Sequence, residues 1–489
     1  MFSLLGLASL EAVAAPAVTN CNDAGTGSLR AAISGAVEGD FIDMSHLSCS
    51  VISLTTGSLH VLKNNLTIAG PGRDKLTITG ANDGVNNVLS HYGSGTLELD
   101  SVKVSSGHLY MTSSGKYFGG GCLGSLGSLR LNFDEFNACA VTAGDHAYGR
   151  GGAIFAAGNI HVIESVVTGN SVSPAVIPPK CVYIANPPHE YCYGGGPTSP
   201  AALVGGGIFA KGDVTLEETL VAGNLADAGG GIFASGGQVL FSTLSSNTGN
   251  TGEAMVVTGK SSLTINASTM TGNRSPQGDC EYSYYCFRAQ RTTNTDPGSV
   301  FESMATTGGG QPTRISNSTF ANNPYASSMI HSQNPLHIYN STIALNRWLY
   351  YGTYTGPRGI VMDNAALTIA SSIVSQNGDD DVLLFGSATI TGNHNIIGMS
   401  ASPMPPGTLS GCPMLKRLSD NGGLTLTVSL RPGSPAIGAG SNPLGLPFDQ
   451  RGSGFTRATG NGPDIGAIEA VEDRIFDDAF QLGAPPPCT

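Results

Sequence analysis

The chain has 489 residues, of which 68 are Gly and 27 are Pro, while only 12 % are charged and 7 % aromatic. Residues that disfavour helix interiors make up roughly a fifth of it, and Lys, Glu and Arg are too few to solvate a helical bundle. With 40 % apolar residues and a net charge of only -12, the composition also argues against disorder, which leaves an all-β chain rich in turns, arranged as several domains or one elongated repeat array. The acidic balance, with a pI of about 5.2, argues against nucleic acid as a partner.

Residues 1–14 read as a secretory signal peptide. Phe2 to Ala8 form an apolar run, and Ala12-Val13-Ala14 ahead of Ala15-Pro16 has the small-x-small form of a cleavage site. No Lys or Arg precedes the run, which points to a truncated start. No later stretch approaches the ~18–20 apolar residues that span a bilayer, so no transmembrane segment is expected. Ten cysteines form five neighbour pairs: Cys21 with Cys49, Cys122 with Cys139, Cys181 with Cys192, Cys280 with Cys286, and Cys412 with Cys488. No C-x-x-C occurs. An even number in an acidic, Asn- and Ser-rich chain suggests disulfides and an oxidising compartment, although spacing leaves the connectivity open.

Internal repetition decides the architecture. Ser/Thr-x-apolar-x-x-Asn recurs as Ser165 to Asn170, Thr219 to Asn224, Ser242 to Asn247, Ser268 to Asn273, Ser318 to Asn323, Ser341 to Asn346 and Ser372 to Asn377. A Gly-Gly-x-Ile-Phe element precedes three copies, at Gly151 to Phe155, Gly205 to Phe209 and Gly229 to Phe233. The runs between them alternate apolar and polar residues, as in Val214 to Val221, which gives short strands. Strands that short pair with the same strand of the next unit, stacking about 4.8 Å apart into parallel sheets. Asn224 to Asn247 and Asn323 to Asn346 each span 23 residues, the length of one coil of a three-sided β-helix. Asn is expected to take the left-handed corner and to bond the Asn above and below it, and Gly to allow positive φ. Longer intervals after Asn170, Asn273 and Asn346 place insertions at 171–204, 274–312 and 347–358, all on one edge of the prism.

Several segments resemble known families. Gly-Gly-Ala/Gly-Ile and Phe320-Ala-Asn-Asn323 are similar to the repeats of polymorphic outer-membrane proteins. Ser372 to Asn377, Asp381-Val382, Gly392-Asn-His-Asn-Ile-Ile-Gly398, Asp420-Asn-Gly-Gly423, Leu430 to Gly440, Asp449-Gln-Arg-Gly452 and Pro463-Asp-Ile-Gly-Ala-Ile-Glu469 resemble the choice-of-anchor Q region of exported bacterial β-helix proteins. Asn22 to Ile33 resembles the amphipathic N-terminal cap of that group, and Ile475 to Phe480 a short C-terminal motif of exported Gram-negative proteins. The resemblance implies a right-handed parallel β-helix with a short helical cap, held at or released from a bacterial cell surface, and assigns no catalytic residue. It implies a β-helix over 15–377, a closing region over 378–469 and a tail over 470–489.

The insertions carry nine of the 15 Tyr and the single Trp. Tyr191, Tyr193, Tyr282, Tyr284, Tyr285, Trp348, Tyr350 and Tyr351 offer flat faces for sugar rings and polar tips for hydroxyls. Asp279, Glu281, Arg288 and Arg347 are the catalytic candidates for a polysaccharide lyase, which needs a base and a cation, or for a hydrolase, which needs paired carboxylates. Asp379, Asp380 and Asp381 are weak Ca²⁺ candidates in a context that favours a turn. His91, His108, His146, His161, His331 and His337 lack metal spacing and read as surface or coil residues. No cofactor is expected. The leading expectation is a monomeric exported protein that binds polysaccharide or another cell surface, with a carbohydrate-active enzyme and a structural spacer as rivals.

Overall fold

Runs of three to five alternating residues are too short to stand alone as sheets. A computed structural model of the chain describes residues 17–81, 85–113, 119–177, 180–185, 188–193, 196–275, 298–305, 309–346, 358–457 and 462–470, with only the backbone course given within 177–196. The strands form three long parallel sheets of 12, 12 and 11 strands, wound as a right-handed β-helix. Sheet 1 runs from Phe41–Asp43 to Thr389–Asn393, sheet 2 from Val51–Ser53 to Ile396–Ile397, and sheet 3 from Leu59–Val61 to Val382–Phe385. Each coil passes through sheets 1, 2 and 3 in that order.

Stacking in register makes one apolar column per inward position. Val167, Val221, Leu244, Met270, Phe320, Ile343 and Val374 lie one over the next on sheet 2. All are at most 1 % exposed, and each such side chain contributes roughly 1.5–3 kcal/mol by burial. Helix α1 (Leu29–Gly35) covers the open N-terminal end. Its N-cap Ser28 accepts from Ala31 N, and its buried face is Leu29, Ala32 and Ile33. Arg30 holds the cap down by pairing with Asp23 at 2.6 Å and donating to the carbonyls of Gly57 and Ser58.

The repeated motif marks two corners of every coil. At the end of each sheet 2 strand, Asn170, Asn224, Asn247, Asn273, Asn323 and Asn346 each donate Nδ2 to the Oδ1 of the next, ending at Asn377, over 2.7–3.1 Å. At the start of each strand a second ladder runs from Asp134 through Ser165, Thr219, Ser242, Ser268, Ser318, Ser341 and Ser372 to Asn395. There each backbone N–H donates to the side-chain oxygen one coil on. The expectation that Asn itself takes the left-handed backbone is corrected. Positive φ falls one residue earlier, at Gly169, Gly223, Ser246, Gly272, Asn322, Leu345 and Gln376. Asn stands at the corner for its amide, which bonds in both directions along the stack.

The insertions leave sheet 2 after Val166–Thr168, Thr269–Thr271 and Thr342–Ala344 and re-enter at sheet 3, so they share one edge. Two boundaries are corrected. Ser299–Ser303, placed in the second insertion by the sequence, is a sheet 3 strand paired with Met255–Val257 and Ser328–Ser332. The β-helix also runs past residue 377, because Val382–Phe385, Thr389–Asn393 and Ile396–Ile397 form a further coil inside the expected closing region. The sequence also missed that the insertion edge is widened earlier in the chain. Ser171–Pro174, Ala140–Ala143 and His108–Met111 make a short fourth parallel wall over its own core of Met111, Val141, Val172 and Leu203.

After the last coil, the antiparallel pair Leu415–Ser419 and Thr427–Leu430 turns the chain back, and the segment to residue 470 lies along the outside of sheet 2. Disulfides join Cys21 to Cys49 and Cys122 to Cys139. Cys181 lies opposite Cys192 in an antiparallel hairpin, and Cys412 is disulfide-bonded. Cys280, Cys286, Cys488 and residues 1–16 lie outside the described residues. Among the described residues, no helix is long and apolar enough to cross a membrane.

Candidate functional site

Alternation along each strand turns every second residue of sheet 1 to the outside, and register aligns those residues across coils. The central outward row reads Glu98, Arg130, His161, Thr215, Gln238 and Thr264. Its middle residues Arg130, His161, Thr215 and Gln238 line an open groove of about 570 Å³, with Asp213 at its edge, within the ~300–1,000 Å³ common for ligand sites. Thr96, Ser128 and Asn159 line one side.

Charges in this row touch in sequence. Glu98 Oε1 accepts from Asn132 Nδ2 at 2.8 Å and lies 3.4 Å from Arg130 Nε. Arg130 Nη1 donates to His161 Nδ1 at 3.2 Å, and His161 Nε2 meets Glu217 Oε1 at 3.1 Å. A guanidinium only donates, so Nδ1 of His161 is the acceptor and Nε2 carries the proton that goes to Glu217. Both ring nitrogens are occupied. The chain Glu98–Arg130–His161–Glu217 stays accessible, with side chains 32 %, 44 %, 31 % and 42 % exposed. Exposed pairs of this kind add only about 0–1 kcal/mol each to stability. The carboxylates at its ends are three strand spacings apart, about 14 Å at ~4.8 Å per coil. That exceeds the ~5–9.5 Å at which paired carboxylates cleave glycosidic bonds.

On sheet 3, Phe155, Phe209 and Phe233 stack with ring centroids 5.5 Å apart, and Arg150 lies 4.6 Å above the Tyr148 ring. Phe155 and Phe209 are only 3 % and 9 % exposed, so this aromatic column is packing and not an open platform. Further along the same outward column, His331 Nδ1 lies 2.9 Å from Glu302 Oε1, and Ser299 Oγ donates to Glu302 Oε2 at 2.7 Å. Glu302 and Ser299 are buried.

The sites expected from sequence fall differently. Tyr191 and Tyr193 sit on the strand Pro188–Tyr193 of the hairpin with Lys180–Ala185, and their side chains lie outside the described residues. So do Tyr282, Tyr284, Tyr285, Trp348, Tyr350, Tyr351, Asp279, Glu281, Arg288 and Arg347. Asp381 is buried, and both of its carboxylate oxygens accept from nitrogen, from Asn377 and from Met399 N. Among the described residues, no group of three His, Cys, Asp or Glu is placed to hold a metal ion. His91, read as a surface or coil residue, is fully buried, bonded to Ser125 Oγ at 2.7 Å and to Lys63 O at 3.0 Å.

Sequence reasoning passed over Glu98, Arg130 and Glu217, and read His161 only as a surface or coil residue. The signal was available: His161 and Thr215 each stand ten residues after the first Gly of their Gly-Gly-x-Ile-Phe copies, which places them in one outward row.

No family model matches the chain, and no curated protein matches it. A solved structure, "Crystal structure of pectate lyase Pel9A", is similar at a TM-score of 0.40 and 13 % identity, covering 94 % of this chain and 98 % of that one. At that level the likeness carries no argument about function, and the architecture rests on the chain's own three sheets.

Proposed function

We propose that the protein is an exported β-helix that binds polysaccharide along the outer face of sheet 1. The observation that carries this reading is the accessible chain of side chains Glu98–Arg130–His161–Glu217, whose Arg130 and His161 line the groove. It presents polar side chains coil after coil, the form of recognition that matches a polymer's repeated hydroxyls. Carboxylates at both ends suit neutral sugar hydroxyls better than a polyanion. Binding is favoured over turnover because both ring nitrogens of His161 are engaged, by Arg130 and Glu217, and Glu98 and Glu217 stand too far apart to act as a hydrolytic pair. The disulfides Cys21–Cys49 and Cys122–Cys139 and the disulfide-bonded Cys412 support folding in an oxidising compartment. The resemblance of Asp449 to Gly452 and Pro463 to Glu469 to the choice-of-anchor Q region supports display outside the cytoplasm of a bacterium.

A polysaccharide lyase is the second reading. Its support is the Glu302–His331 pair, held in the strands that follow the second insertion, where Glu302 orients the imidazole. Incubation with a panel of neutral and uronate polysaccharides separates the readings. Retention without new chain ends is expected, new unsaturated or reducing ends would establish the enzyme, and neither would leave a spacer.

A further inference from the structure

Apart from one contact of Arg457 with Asn317 Oδ1, the closing segment touches the prism through neutral groups. Leu426 O accepts from Thr269 Oγ1 at 2.6 Å, Phe448 O accepts from Asn317 Nδ2 at 2.9 Å, and Ala467 N donates to Thr342 Oγ1 at 3.0 Å. Gln450 bridges Thr319 and Thr269. None of these partners titrates.

Its own interior is ionic. Asp449, Arg451, Arg457, Asp464 and Glu469 are each at most 6 % exposed. Arg451 pairs with Asp449 and lies 4.1 Å above the Phe455 ring. Arg457 pairs with Glu469 Oε1 at 3.0 Å, donates to Gly466 O and Ala467 O, and reaches Asn317 Oδ1 on the prism. Asp464 accepts from Gly438 N and Ala470 N, and Glu469 Oε2 accepts from Asp464 N. Two guanidinium groups thus face three carboxyls, and full ionisation leaves one buried negative charge without a counter-ion.

We propose that the cluster of Asp449, Asp464 and Glu469 holds one proton in the docked state and that losing it releases the closing segment from sheet 2, which makes the segment a pH-sensitive clasp. Burial, opposed by Arg457 and reinforced by Asp464, pushes Glu469 up to about 7. The folded value lies above the ordinary 4.5, so the contribution to docking is complete below that value and is lost as pH rises through about 7. Ion pairs buried this deeply add little over an apolar replacement, so their presence fits a switch better than a simple adhesive. Release uncovers Ala321, Ala344 and Ile373 of the prism, which pack against Leu415, Val428 and Ile465 of the segment.

Hydrogen-exchange protection factors on the full chain test this, with sheet 1 amides as internal reference. Between about pH 6 and about pH 8.5, protection over residues 436–457 and 462–469 is expected to fall about tenfold while sheet 1 stays protected. Glu469→Gln removes the ionisable group, and Asp464→Asn balances the charges by another route; each is expected to abolish the fall. Equal wild-type protection at both pH values, or an undiminished fall in whichever variant folds, would overturn the clasp. The readout needs no glycan, so its failure is separate from failure of the binding reading.

Discussion

Asn377 directs both its backbone N–H and its side-chain amide at Asp381 Oδ1, at 3.1 and 2.9 Å, so the Asn ladder ends on a carboxylate four residues further along the chain. Each Nδ2 in the ladder gives one hydrogen back to a carbonyl of the previous coil and one forward to the next side-chain oxygen, and Asp381 receives the last forward bond where no further Asn follows. Its Oδ2 also accepts from Met399 N at 2.8 Å. Asp381→Ala leaves these buried donors unmet, which costs about 1–3 kcal/mol for each. Urea unfolding is expected to show a loss of about 3–9 kcal/mol in total, and a loss within error of zero would refute the terminator role.

The two ladders differ in weight. Asn247 accepts from Asn224 N and Nδ2 and donates to Val221 O and Asn273 Oδ1. Ser268 accepts one bond, from Ser242 N, and shares its own proton between Val239 O and Asn266 O. Asn247→Ala is expected to destabilise by about 3–5 kcal/mol and Ser268→Ala by about 1–2 kcal/mol. Chemical denaturation of both variants checks the order, and the reverse order would contradict the account of the corners.

Acid weakens the N-terminal coils through His91. Burial lowers its pKa below the ordinary 6.5, although the carbonyls of Lys63 and Asn64 favour the proton. A depressed folded value means that the stability is fully present above 6.5 and is lost as pH falls through the lowered value. His91→Gln is expected to flatten the decline of the unfolding midpoint on the acid side. An unchanged slope would show that other groups govern it.

Alkali acts on Glu253. It is fully buried at the insertion edge, next to Gly298, and among the described residues neither carboxylate oxygen has a hydrogen-bond partner. Burial raises its pKa well above the ordinary 4.5, so folding favours the protonated form. Stability is complete below 4.5 and declines as pH rises toward the raised value. Glu253→Gln is expected to hold the melting temperature steadier than wild type between about pH 5 and about pH 8. Parallel curves would remove Glu253 from the account.

The repeats made the fold legible because one motif controls two corners, and the seven Asn positions of the sequence are the seven rungs of the ladder. The prism extends further toward the N-terminus than the motif showed, since Asp134 and Cys139 hold the positions that later coils give to Ser or Thr and to Asn. The last coil was hidden for a similar reason, with Asn395 in the Ser position and Asp381, from a shifted place in the chain, in the Asn position. The groove was harder to see. Glu98, Arg130, His161 and Glu217 lie on four separate strands at intervals of about 30 to 60 residues, and only the register of parallel pairing brings them together. The aromatic insertions drew attention because their composition is local, whereas a row across coils leaves no local signature.

The central claim is that polysaccharide binds the sheet 1 row. The most direct measurement is titration calorimetry of a retained neutral polysaccharide against wild type and against Arg130→Ala with His161→Ala. Both side chains are more than a quarter exposed, so the fold should persist, which circular dichroism can verify. Removing two charged or polar partners is expected to weaken binding about 10- to 100-fold with no new chain ends formed. Undiminished affinity in the folded double variant would contradict the claim.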